Sequence, residues 1–169
     1  MDGYEMILNR RSIRKFTNDK IDQETIEKIL NAGMYAPSAR NQQPWCFVVT
    51  DKRMILDDMP NFHPYAEMMK QAALAILVCA DKKLIKSEGY WIQDCSAATQ
   101  NILLAAYNFG IGSVWLGVYP REDRVEGMKK LFSLPEHIIP VSLIALGYPG
   151  EEKKQPERYD LNRIHWDRW

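Results

Sequence analysis

Residues 90–117 read YWIQDCSAATQNILLAAYNFGIGSVWLG. Ile92, Cys95, Ala98, Thr99, Ile102, Leu103, Ala106 and Phe109 recur at helical intervals, so the spacing predicts one long helix from Tyr90 to Phe109. Gly110 stands where a left-handed residue would stop it. Gly112 to Leu116 then reads as a strand. The order of these elements excludes one reading of the glycines. In a dinucleotide-binding fingerprint the glycines leave a strand and open a helix, whose N-terminus meets the pyrophosphate. Here they leave a helix and enter a strand, so the Gly110-Ile111-Gly112 triplet is a helix stop. Small residues at Ser96, Ala97, Ala98, Ala105 and Ala106 would let another helix pack closely on this one.

Moving outward, Tyr4 to Asn9 reads as a short helix. A second opens at Ile21-Asp22 with Asp22 as N-cap, carries Ile26, Ile29, Leu30 and Gly33-Met34 on one face, and is ended by Pro37. Trp45 to Thr50 is a strand rich in β-branched and aromatic residues, followed by a polar helix over Asp51 to Met59 and a loop over Pro60 to Pro64. Leu74 to Ala80 is a buried strand, Glu122 to Leu131 a helix, and Ile138 to Leu146 a fourth strand in which Pro140 marks an edge or a bulge. The tail from Gly147 is polar and charged but carries Tyr159, Leu161, Ile164, Trp166 and Trp169, too apolar for a free arm. It packs either on its own subunit or on another's.

The chain has 169 residues, with 22 Lys+Arg against 22 Asp+Glu, which suits one domain and argues against a general nucleic-acid binder. An apolar fraction of 46% excludes global disorder. The apolar runs are too short to span a bilayer, and the start Met-Asp-Gly-Tyr-Glu does not read as a signal peptide. Cys46, Cys79 and Cys95 form no CxxC and read as buried, reduced thiols of a cytoplasmic protein. His63, His137 and His165 lack a second ligand at metal spacing, so no metal site is expected.

Two local clusters offer chemistry. Arg10-Arg11-Ser12-Ile13-Arg14-Lys15 sets four cations in six residues of a neutral chain. Arginine forks and a hydroxyl suit phosphate oxygens, although a solvated basic face has the same composition. Ala36 to Trp45 (APSARNQQPW) joins a helix to a strand, stiffened by prolines near its two ends. Its amides and backbone groups suit the edge of a flat heterocycle, or make an ordinary polar loop. No P-loop, HExxH or GxSxG occurs, and Ser38 lacks the surroundings of a nucleophile elbow.

Taken in order, RRSIRKF (10–16), APSARNQQPWCFVV (36–49), DCSAATQNILLAAYNFGIGSVWLG (94–117) and ALGYP (145–149) followed by a basic tail resemble the FMN-dependent nitroreductase family over essentially the whole chain. The resemblance implies an α+β fold, a mostly antiparallel central sheet flanked by helices, in an intertwined homodimer. It implies a single domain over 1–169 whose arm, 150–169, packs on the partner, and two FMN sites at the dimer interface. Arg10 and Ser12, with Arg11 beside them, match phosphate-binding positions, and Arg14 matches the cation near the pyrimidine edge. Pro37, Ser38, Ala39 and Asn41 match the loop laid against the other subunit's flavin. Leu116 and Gly117 match the stretch near flavin N5. Arg158 is the best match for a second phosphate-binding cation, ahead of Lys154.

The implied activity is ping-pong transfer of hydride from NADH or NADPH, through FMN, to a nitroaromatic, a quinone or a similar small acceptor. No side chain need be a catalytic nucleophile. The alternatives are a specialised flavoenzyme of the same fold, such as a reductive dehalogenase or a flavin-modifying enzyme, and a non-enzymatic FMN-binding protein. Larger relatives carry an Asn and a Lys before the second strand. Here that region reads Tyr65-Ala-Glu-Met-Met-Lys-Gln71, so no contact is assigned to it.

Overall fold

The computed structural model describes residues 2–169. Four strands form one sheet: β1 (Trp45–Thr50), β2 (Leu74–Asp81), β3 (Gly112–Gly117) and β4 (Ile138–Gly147). Their order is β1-β2-β4-β3, and every neighbouring pair is antiparallel. Among the described residues five α-helices accompany them: α1 (Gly3–Asn9), α2 (Gln23–Met34), α3 (Arg53–Asp58), α4 (Trp91–Asn108) and α5 (Glu122–Phe132). The expected α+β architecture is the one observed.

Both faces of the sheet are covered, and β2 shows why its sequence is apolar throughout. Leu74, Ile76, Val78 and Ala80 face a core shared with α2 and α4, while Ala75, Leu77 and Cys79 face a second core under α3 and α5. All seven are buried. In the first core α2 crosses α4 at close range. A Cβ on Gly33 would lie 2.9 Å from Ile102 Cγ1, so the approach needs a glycine there. Asp22 caps α2 as expected, its Oδ1 accepting from Thr25 N–H at 2.8 Å.

Pro140 lies in an inner strand, so the edge reading fails and the bulge reading holds. The ladder runs Val78 to Ser142 and then Cys79 to Pro140, leaving Val141 as the extra residue. The carbonyl of Val141 accepts from Val118 N–H at 3.2 Å and Tyr119 N–H at 3.0 Å instead. The sheet thus tolerates a residue without an N–H while turning the chain at the end of β3.

Of the thiols, Cys79 and Cys95 are buried, but Cys46 is half-exposed on edge strand β1, which corrects the expectation of three buried cysteines. Burial pushes the Cys95 thiol up to about 12. The start of the arm is bonded to its own subunit, but its apolar residues from Tyr159 on lie exposed there. Tyr159 is 76% exposed, Leu161 70%, Trp166 85% and Trp169 100%. No helix among the described residues is long and apolar enough to cross a membrane.

Candidate functional site

The site grows from the free edge of β3. The segment after α1 lies along that edge and bridges it in parallel at Ser12–Ser113, with Ile13 N–H donating to Ser113 O at 3.0 Å. Ile13 and Phe16 are buried in the core, while Arg14 and Lys15 between them are exposed. Gly112 permits the approach, since a Cβ there would meet Ile13 Cγ2 at 2.9 Å. The chain after β4 closes the far end, with Thr17 N–H donating to Tyr148 O and Gly150 N–H to Lys15 O. Arg14 N–H donates to Glu151 Oε1 at 2.6 Å.

This edge segment borders two cavities. The first, about 320 Å³, is lined by Arg10, Arg11, Tyr107, Gly112 and Lys153 among others. Arg10 is half-buried, and burial together with the like charges of Arg11 and Arg158 pushes its guanidinium below the ordinary arginine value. A half-buried cation beside two others is a place that an anion would stabilise. Arg11 is different. Its guanidinium is committed to backbone carbonyls, donating to Leu8 O and Arg10 O at 2.5 Å and to Lys154 O at 3.3 Å. It ties α1 to the start of the arm. Lys154 enters through that carbonyl, and Lys153, which no sequence feature singled out, donates from Nζ to Ser12 O at 2.7 Å. Ser12 is half-buried in the bridge to β3.

The second cavity, about 480 Å³, brings Arg14, Leu116 and Gly117 together with Tyr65, Met68 and Arg124. The Tyr65–Gln71 stretch, unassigned from sequence, therefore forms one wall. His63, itself buried, lines the same cavity. Its Nδ1 accepts from Tyr65 N–H at 3.2 Å, which leaves the proton on Nε2, and Nε2 donates to Gly117 O at 2.9 Å. Arg124 Nη1 donates to the same carbonyl at 2.8 Å. Two side chains from different elements thus fix the peptide at the end of β3. Desolvation depresses the His63 pKa, and the nearby charge of Arg124 adds to this.

Pro37, Ser38, Ala39 and Asn41 line neither cavity. They form a separate, tightly held loop. Asp94, buried near the start of α4, accepts from Ala39 N–H at 3.0 Å and from Gln42 Nε2 at 2.6 Å. Gln42 Oε1 in turn accepts from the N–H groups of Lys86 and Ser87. Ser38 Oγ accepts from Gln43 N–H at 3.0 Å. Arg40, Asn41 and Gln43 hold φ values of 51°, 52° and 45°, a left-handed backbone that the network must stabilise. Pro37 and Asn41 are exposed at the loop surface. One chain alone does not join this loop to the Arg10–Arg14 segment.

No sequence feature marks His63 or Arg124: His63 has no second ligand at metal spacing, and Arg124 belongs to no motif. Their roles arise from the bulge that turns the chain after Gly117.

Known proteins share this sequence pattern and this fold. The description "Nitroreductase family" matches residues 7–62 and 59–148. A protein of Methanothermobacter thermautotrophicus named "Putative NADH dehydrogenase/NAD(P)H nitroreductase" is 52% identical over 169 residues, covering 100% of this chain and 88% of its own. An FMN-dependent nitroreductase of Clostridium difficile R20291 superposes with a TM-score of 0.90 at 30% identity, over 97% of this chain and 98% of that one. A "putative nitroreductase in complex with FMN" from Desulfovibrio desulfuricans superposes with a TM-score of 0.86, also at 30% identity, over 100% and 98%. With the antiparallel sheet, the basic segment along its edge and matches of this extent, the chain belongs to the nitroreductase family, a family of oxidoreductases.

Proposed function

We propose that this protein is a cytoplasmic, homodimeric FMN enzyme that moves electrons from NADH or NADPH to a nitroaromatic, a quinone or a similar electrophilic acceptor. The observation that carries the reading is the course of residues 10–14. This one extended segment borders both cavities, with Arg10 at the first and Arg14 at the second. Such a track, roughly 13 Å for four extended residues, suits a ligand with a phosphate at one end and a flat ring at the other. Among the described residues Arg10, Arg14 and Arg158 have no ion-pair partner, so a phosphate and an electron-rich ring edge would complete their environment.

In this reading Arg10, Ser12 and Arg158 hold the phosphate, and Arg14 stands at the pyrimidine edge. Leu116 and Gly117 approach N5, and Pro37, Ser38, Ala39 and Asn41 reach the partner's site. Arg11 and the Lys154 carbonyl brace the phosphate end rather than contact it. FMN supplies reversible two-electron chemistry by hydride transfer at N5. The residues bind it, orient it and leave an open slot that donor and acceptor use in turn, which makes the kinetics ping-pong. The whole chain acts as one domain whose arm, 150–169, embraces the partner. Its exposed aromatic residues, and exposed Ile7, Met34 and Tyr35 elsewhere, support a dimer.

An anaerobic absorbance scan of the FMN-loaded protein, before and after NADH and then NADPH, tests the reading. Bleaching of the oxidised-flavin band supports it. A bound flavin that neither nucleotide bleaches points to another donor or a specialised role, and failure to bind flavin overturns the site.

A further inference from the structure

The second cavity carries more positive charge than flavin retention accounts for. Arg14 and Arg124 both line it, and Glu67 is the one carboxylate on its wall. That carboxylate is already paired, lying 2.8 Å from Lys70 Nζ. Arg124 is half-buried, and its guanidinium stands 5.3 Å from the centre of the Tyr65 ring. Nη1 is used by Gly117 O, but Nε is buried without a partner. Among the described residues no carboxylate comes within ion-pair distance of Arg124. The remaining walls are largely flat or apolar: Tyr65, Met68, Trp115 and Leu116. A half-buried guanidinium on the cavity wall with no counter-ion and an aromatic neighbour is suited to a planar ligand that brings its own anionic group.

We infer that Arg124 gives this enzyme a preference for acceptors that carry a carboxylate on a planar aromatic ring. The inference rests on the cavity being the substrate slot of an FMN site. Arg14 serves the cofactor in that reading, which leaves Arg124 as the cation available to the substrate. Arg124 is a specificity residue here. The redox step balances without it: ArNO2 + NAD(P)H + H+ gives ArNO + NAD(P)+ + H2O. One N–O bond breaks, NAD(P)H supplies two electrons and one hydrogen as hydride, and solvent supplies the one proton.

The test uses the FMN-loaded protein and two acceptors of one shape, 4-nitrobenzoate and 4-nitrobenzamide, under saturating NADH. The native protein should show a higher kcat/KM for the benzoate. In Arg124→Gln the benzoate-to-benzamide ratio should fall about tenfold to a hundredfold, the scale of one charge-assisted contact. In Arg124→Lys, which keeps the charge and loses the fork, the ratio should fall less. Because the ratio is internal to each variant, general damage to the slot cancels. Equal kcat/KM values in the native protein, or a ratio unmoved by Arg124→Gln, overturns the inference. So does a variant that slows flavin reduction by NADPH while leaving the ratio alone, since the anion recognised would then be a nucleotide phosphate of the donor. Flavin bound and bleached by NADH in the same sample shows that the FMN reading stands even if the preference is absent.

Discussion

His63 Nε2 donates to the carbonyl oxygen of Gly117 across 2.9 Å, joining the loop before β2 to the last residue of β3. The same ring accepts from Tyr65 N–H through Nδ1, so the neutral imidazole fills both positions at once. Protonation keeps the first bond and destroys the second, because a protonated Nδ1 can no longer accept.

This geometry makes stability depend on pH in a stated direction. Desolvation, helped by the Arg124 charge, holds the His63 pKa below the ordinary imidazole value. The unfolded chain therefore binds the proton more readily. Stability falls as the pH drops from about 6.5 through the depressed folded value, and levels off below it. Gln in place of His63 keeps a donor and an acceptor but does not titrate. Urea unfolding at about pH 7.5 and about pH 5 should show His63→Gln losing less stability between the two than the native chain. An equal loss in both would remove His63 from the acid response.

Arg10 offers a test of the phosphate end. Removing a charged hydrogen-bond partner costs roughly 1.5–3 kcal/mol, so Arg10→Ala should raise the FMN dissociation constant about tenfold to a hundredfold. Arg11→Ala should act otherwise, because its guanidinium serves the carbonyls of Leu8, Arg10 and Lys154. It should lower the unfolding midpoint more than it changes flavin affinity at low salt. Fluorescence titration and thermal melts of the two variants separate the roles. Arg11→Ala weakening FMN as much as Arg10→Ala, at full stability, would place both on the phosphate.

The contrast between these two arginines shows where reading the sequence stops. Local pattern located α4, its glycine stop, and strands β1 to β4, because helical spacing marks the first and short runs rich in apolar and β-branched residues mark the strands. It also placed Pro140 at an irregularity. It did not resolve whether that irregularity was an edge or a bulge, since this depends on β3 pairing with β4 on the far side. Adjacent identical residues such as Arg10 and Arg11 differ only in which carbonyls the tertiary fold brings near. Arg124 became a wall of the cavity through the turn after Gly117, and no local pattern marks it. The loop of Pro37 to Asn41 was recognisable by composition, but Asp94, which holds it, lies 55 residues away from Ala39.

Asp94→Asn tests that attachment. One carboxylate oxygen becomes an amide nitrogen that faces a donor, either Ala39 N–H or Gln42 Nε2. A buried donor left unsatisfied costs roughly 1–3 kcal/mol, so the variant should unfold earlier in urea by that amount. Amide exchange at Ala39, Lys86 and Ser87 should speed up more than exchange in β2, because Ala39 N–H bonds Asp94 directly and the Gln42 side chain links the other two amides to it. Acceleration spread evenly over the sheet would mean global destabilisation and would detach the loop from Asp94.

The arm provides the last test, and its exposure sets the expectation. Tyr159, Trp166 and Trp169 are 76%, 85% and 100% exposed on their own chain. Three such side chains carry roughly 450–750 Å² of surface, a large part of the ~800 Å² that each partner contributes to a stable interface. Within one chain, residues 160–164 hydrogen-bond only among themselves, through Asp160, Leu161, Asn162, Arg163 and Ile164. Deleting residues 159–169 should therefore cost the single subunit little and the dimer much. Arg158 is retained, so the phosphate end keeps its cation. Light scattering across micromolar concentrations should show the native chain as a dimer and the truncated chain shifted toward monomer. Far-ultraviolet circular dichroism should stay unchanged apart from the lost arm. A truncated chain that dimerises as tightly as the native one would place the interface elsewhere on the subunit and leave residues 159–169 without a part in it.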